Sequence, residues 1–172
     1  FPIWCLLLSL TSATTIPSTV DAFPIAYTKW IPSGESRGVL YIVHGMAEHK
    51  GRYEGFAREL AEKMRITVVA HDQRGHGETV SSHCDLGIFQ TNDESLRNDA
   101  IALMSQDALD VIAATREGKV FVLGHSMGSV VARRMLTLGQ VDFAGMLLSG
   151  VPTAPTRLES YVFPYLGASI KL

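Results

Sequence analysis

The clearest chemical signal in this chain is the stretch Gly124-His125-Ser126-Met127-Gly128. It spells G-x-S-x-G, with the apolar run Val120 to Leu123 before it and a helix-forming segment, Ser126 to Leu138, at its other side. A five-residue pattern with two free positions recurs by chance, so context decides. A strand before and a helix after is the context of a nucleophile elbow. There the chain reverses sharply and holds one hydroxyl at the tip of a strained turn. Gly124 and Gly128 omit the side chains that would clash in so tight a bend. The helix that follows points free amides and the positive end of its dipole at the reacting centre, with His125 flanking it. Ser126 is thus the candidate nucleophile.

A second stretch, His44-Gly45-Met46-Ala47-Glu48-His49, follows directly on the strand-like run Val39 to Val43. Acyl transfer needs two backbone amides aimed at the oxyanion that develops. In a strand–elbow–helix arrangement one amide comes from the residue after the nucleophile, here Met127, and the other from a loop after an earlier strand. Gly45 would allow close backbone approach, and Met46 is the expected second donor, with His44 in support. His44 and His49 lie five apart with no third ligand in register, so no metal site is expected. Cys5 and Cys84 form neither a CxxC nor a Cys/His ligand spacing. No nucleotide, flavin or metal motif is present in the sequence, and no cofactor is implied.

These loops need elements to hold them. Ile25 to Trp30, Val39 to Val43, Ile66 to Ala70, Val120 to Leu123 and Phe143 to Ser149 read as strands, mostly continuous apolar runs that suit a sheet covered on both faces. Tyr53, Phe56, Ala57, Leu60, Ala61 and Met64 recur at helical spacing and predict one buried stripe. Thr91 to Glu94 reads as a capping box opening a second helix, with Leu96, Ala100, Leu103, Met104, Ala108, Val111 and Ile112 on one side. Strands alternating with helices predict an α/β fold: a doubly wound, mostly parallel sheet with helices on both faces.

Residues 21–151 are expected to form this domain. Residues 152–172, with Tyr161, Phe163, Tyr165 and Leu166, read as the start of a lid. Residues 1–20 are apolar to Leu10 and rich in Ser and Thr from Thr11 to Thr19. They read either as the remnant of a signal or anchor or as a start without biological role, and are not expected to belong to the fold. The first residue is Phe1, so the true start is expected upstream. A formal net charge of -2 gives no electrostatic footprint for nucleic acid. The compartment stays open.

Three blocks together resemble the monoacylglycerol lipase and lysophospholipase branch of the α/β hydrolases, the serine aminopeptidase S33-like group. They are His44-Gly45-Met46-Ala47-Glu48-His49 running into Gly51-Arg52-Tyr53, then His71-Asp72-Gln73-Arg74-Gly75-His76-Gly77, then the elbow at Ser126. The likeness runs from near Val20 to near Gly150. The resemblance implies hydrolysis of a carboxylic ester of a monoacylglycerol or lysophospholipid, an acyl-enzyme on Ser126, and oxyanion donors at Met46 and Met127. It makes His76 a hydrogen-bonding residue rather than the base. Two positions depart from the family pattern: Ser129 stands where Gly is common, and Met46 where a smaller residue is common. The implied partners are a lipid or small ester and a peripheral membrane contact through the lid.

In this fold the triad runs Ser, then an acid, then His. All six histidines, His44, His49, His71, His76, His83 and His125, precede Ser126, and the later acids are only Asp142 and Glu159. Asp142 is placed at the start of a strand, away from the catalytic ends. A serine without a base is a poor nucleophile. The chain therefore reads as the N-terminal part of a larger hydrolase, without significant esterase activity by itself. Two other readings stand beside it: a hydrolase of peptides or small esters, and a non-catalytic relative that binds a ligand.

Overall fold

The structure is a computed structural model and describes residues 14–80, 86–87 and 99–152. The elements in chain order are β1 (Thr15–Pro17), β2 (Pro24–Trp30), β3 (Gly38–Val43), a 3-10 turn (Lys50–Tyr53), α1 (Glu54–Met64), β4 (Thr67–His71), α2 (Ala100–Thr115), β5 (Lys119–His125), α3 (Met127–Leu138) and β6 (Phe143–Ser149). Among the described residues one six-stranded sheet runs in the order β1-β2-β4-β3-β5-β6. β3 pairs in parallel with both β4 and β5, and β5 with β6, while β2 is antiparallel to β4 and β1 to β2. The mostly parallel sheet expected from the alternating pattern is the one observed.

Side chains alternate across each strand, and β3 shows how this divides the core. Val39, Tyr41 and Val43 point into a cluster with Met104, Ala108, Val111 and Ile112 of α2 and Val131, Ala132 and Met135 of α3. Leu40 and Ile42 point the other way, onto Ala57 and Ala61 of α1 with Val68 and Ala70 of β4. Helices therefore cover both faces, two on one side and one on the other. Parallel strands bring the loops after β3, β4 and β5 to one edge of the sheet, which is where ligands sit in open α/β sheets.

Three sequence expectations change. Residues 1–20 are expected to lie outside the fold, yet Thr15–Pro17 form β1 and pair with Pro24–Ala26 of β2. Asp21 helps hold this segment: the fully buried Arg74 guanidinium donates to Asp21 (2.7 and 2.8 Å) and to Asp107 of α2 (2.6 and 3.0 Å). Second, the buried stripe of α1 narrows to Ala57 and Ala61. Phe56 and Met64 are 48% and 54% exposed, because they flank an open apolar groove of about 640 Å³ floored by Leu40, Phe121 and Leu147. Third, the N-cap of α2 is Asp99, whose carboxylate accepts from the Ala102 amide at 2.9 Å. Thr91 to Glu94 and Leu96 lie outside the described residues, as do Glu159 and most of the expected lid.

Candidate active site

β5 ends at His125 and α3 begins at Met127, leaving Ser126 alone at the junction. Its backbone has φ 50° and ψ -120°, a conformation that L-residues rarely adopt and that persists only where the surroundings over-determine it. Those surroundings are explicit. The Ser126 amide donates to the Ser149 carbonyl of β6 at 2.8 Å. Its carbonyl accepts from the Ser129 amide at 2.9 Å and from the Ser129 hydroxyl at 2.6 Å. Ser129 thus adds a bond that the usual glycine could not make.

The two elbow glycines are sterically required. A Cβ on Gly124 would lie 2.5 Å from the Gly128 carbonyl oxygen. One on Gly128 would lie 2.0 Å from the Val43 oxygen and 2.6 Å from the His44 oxygen. The first turn of α3 therefore sits directly on the backbone that leads from β3 into the 44–48 loop. A Cβ on Gly45 would stand 3.1 Å from Ser126 Cβ, so that loop and the serine are immediate neighbours. The Ser126 side chain is half-buried, and its hydroxyl has no hydrogen-bond partner among the described residues. Met127 is buried behind it, while Met46 is 47% exposed.

The 44–48 loop is tied down by polar side chains. His44 Nε2 accepts from the Gln73 amide at 2.9 Å, and its Nδ1 lies 2.7 Å from the Gly45 carbonyl. Burial is the main reason its pKa is pushed down to about 4; the hydrogen bond to Gly45 opposes the shift without cancelling it. Glu48 Oε2 accepts from the Gly45 amide at 2.9 Å and the Tyr53 hydroxyl at 2.8 Å. Partial burial would raise the Glu48 pKa, but the Gly45 and Tyr53 bonds and the nearby His125 and Arg52 hold it below the usual carboxylate value. His76 Nε2 accepts from the Ala47 amide at 3.2 Å, with Nδ1 2.9 Å from the Arg74 carbonyl.

Behind the loop the 72–77 turn is held from within. The Asp72 carboxylate accepts from the Lys50 amide (2.7 Å), the Lys50 ammonium (2.6 Å) and the Glu78 amide (2.8 Å). Burial would raise its pKa, yet these donors pull it below the ordinary value. Gly77, at φ +52°, passes so close to this carboxylate that a Cβ would lie 2.2 Å from Oδ2. His71, at the end of β4, is wholly buried, and burial with the neighbouring His44 drives its pKa down to about 3.

The structure brings Ser126, Gly45, Met46, Met127 and His125 to one edge. His125 Nδ1 lies 3.4 Å from the Ser149 hydroxyl. Asp142 precedes β6 at the opposite end of the sheet, beside Lys119 and Gly118. Sequence reasoning missed Glu48, although a readable signal existed: an acid three residues after an amide is the reach-back spacing of a capping box. It also missed Ser149, whose link to the elbow is non-local and leaves no local pattern.

With this geometry in place, likeness to known proteins adds a second line of observation. The family described as "Serine aminopeptidase, S33" matches residues 34–164. The human monoglyceride lipase is 31% identical over 145 residues, 82% of this chain and 44% of that protein. The monoacylglycerol lipase of Mycolicibacterium smegmatis is 32% identical over 131 residues, 76% of this chain and 44% of that protein. Among solved structures, a thermostable carboxyl esterase from Bacillus coagulans superposes with a TM-score of 0.70 at 24% identity, over 92% of this chain and 50% of that one. This chain spans less than half the length of these lipase relatives.

Proposed function

Since the chain belongs to the serine aminopeptidase S33 family, with the α/β-hydrolase fold, we propose that it carries the nucleophile half of a carboxylic ester hydrolase. The substrate class is a monoacylglycerol or lysophospholipid, and the lipase relatives support that choice. Ser126 Oγ bonds to the ester carbonyl carbon as its proton passes to a base. The carbonyl oxygen becomes an oxyanion facing the amides of Met46 and Met127. Collapse expels the alcohol, which takes up the proton, and leaves an acyl-enzyme on Ser126. Water then repeats the steps and releases the fatty acid. His44, Gly45, Gly124, His125 and Gly128 support the two donors and the turn.

One observation carries the reading: a serine at φ 50°, ψ -120° between strand and helix, against the Gly45 backbone. Strain of this kind is kept where a site needs it. The base and its orienting acid are proposed to come from sequence beyond Leu172. No histidine follows Ser126, and among the described residues no ring nitrogen bonds its hydroxyl. Peripheral contact of residues 152–172 with a membrane belongs to the same proposal.

Labelling the full-length protein with a fluorophosphonate tests it, because only an activated serine reacts. We expect labelling that Ser126→Ala abolishes, and turnover of acylglycerols well above that of aminoacyl amides. Labelling that survives Ser126→Ala would overturn the choice of nucleophile, and preference for amides would overturn the substrate class.

A further inference from the structure

The amides of the 44–48 loop are not equivalent, and the difference can be read atom by atom. Gly45 N–H is taken by the Glu48 carboxylate at 2.9 Å, and Ala47 N–H by His76 Nε2 at 3.2 Å. Between them Met46 N–H has no acceptor among the described residues. Its direction is also fixed. His44 Nε2 accepts from the Gln73 amide, so the ring proton resides on Nδ1 and is donated to the Gly45 carbonyl, 2.7 Å away. In a trans peptide the C=O and N–H point to opposite sides. Pinning the Gly45 oxygen therefore turns Met46 N–H the other way. Ala47, held at φ 58°, sits in a left-handed conformation that costs a non-glycine residue energy and would relax without its restraints.

We propose that His44, Glu48 and His76 are positioning residues that pin the Gly45–Met46 peptide, His44 through its carbonyl and Glu48 and His76 through the amides of the peptides on either side, so that Met46 N–H is the one donor this loop offers to the oxyanion. The inference rests on the hydrolase reading above and adds what sets the donor's aim. None of the three touches the reacting atoms. Glu48 is the informative one because it sits at the partly open mouth of the loop, where its removal leaves the core intact. Its acceptor oxygen does the work, so the amide of glutamine can replace it.

The test uses the full-length protein with an ester substrate and a trifluoromethyl ketone, whose carbonyl carbon bonds to the serine oxygen as the serine proton passes to the base, leaving a tetrahedral oxyanion. Glu48→Ala should lower kcat by about 10- to 100-fold, somewhat less than losing a donor outright. KM should stay within about twofold, and the inhibition constant of the ketone should rise in step with the fall in kcat. Glu48→Gln should restore kcat to within about threefold. An unchanged kcat in Glu48→Ala, a KM that moves with kcat, or a glutamine variant as slow as the alanine one would each overturn the clamp. Amide hydrogen exchange reads it without turnover: Gly45 and Ala47 should be protected and Met46 not, with Gly45 protection lost in Glu48→Ala. A wild-type protein lacking turnover and fluorophosphonate labelling would sink the hydrolase reading, whereas equal exchange at Met46 and Gly45 would sink the clamp alone.

Discussion

The edge of the sheet that holds Ser126 and the face of the sheet beneath α1 follow opposite rules. At the edge, backbone is bent into costly shapes and each bend is held by a named polar partner: Ser149 and Ser129 at the elbow, Glu48 and His76 at the 44–48 loop. Beside α1 the chemistry is apolar and, among the described residues, part of the face stays open. Phe56, Met64 and Leu147 are each about half exposed along a groove whose floor is strand side chains. Parallel sheets ordinarily have both faces covered. The contrast teaches that the Ser126 edge takes its order from its own polar partners, independently of how far the groove beside α1 is covered.

Three measurements would break or sharpen this contrast. The largest effect should come from acid. His44 and His71 have pKa values pushed down to about 4 and about 3 by burial, against the ordinary value of 6.5. Because the folded values are depressed, the unfolded chain takes up protons first as pH falls. Stability from these two groups is complete above about pH 6.5 and is lost as pH drops toward 4. Denaturant unfolding at pH 7 and pH 4.5 should differ by on the order of 5 kcal/mol from these two groups. A flat profile would mean that the two imidazoles are not held buried and neutral in the folded protein.

A smaller effect, of opposite sign, should follow Ser126→Gly. Glycine adopts φ 50°, ψ -120° without penalty, and the serine hydroxyl makes no bond among the described residues that would be lost. Thermal unfolding should show a gain of about 1 kcal/mol, with fluorophosphonate labelling gone. A loss of stability would show that the elbow is not strained. The smallest effect is expected on the open face: Phe56→Ala in this chain should change stability by no more than about 0.5 kcal/mol. A cost of about 3 kcal/mol, typical of a buried aromatic, would show that the groove is occupied.

Much of this was legible in the sequence, for reasons that differ by element. The strands Val39 to Val43 and Val120 to Leu123 announced themselves because burial on both faces demands unbroken apolar runs. The turn at Ser126 was readable because its two glycines stand at a fixed spacing around it, although only Gly124 answers a steric demand within the elbow and Gly128 answers one set by Val43 and His44. The α1 stripe misled: Phe56 and Met64 fit the helical period, but periodicity cannot say whether anything packs against the outer part of a face. Thr15–Pro17 was hidden because a three-residue edge strand carries almost no pattern of its own. Glu48 and His76 were written in the text as letters, and only three-dimensional placement showed which amide each one takes.

The near-contact of Gly128 with the carbonyls of Val43 and His44 has one more consequence. It makes the missing side chain a ruler. The span between hydroxyl and loop amide is set by two backbones touching, so no choice of neighbouring side chain can lengthen or shorten it without breaking the bend. Divergence within such a scaffold is thereby pushed outward. Sequence change is freer at positions such as Met46, which is exposed, while the gap between Ser126 and the Gly45 backbone stays constant.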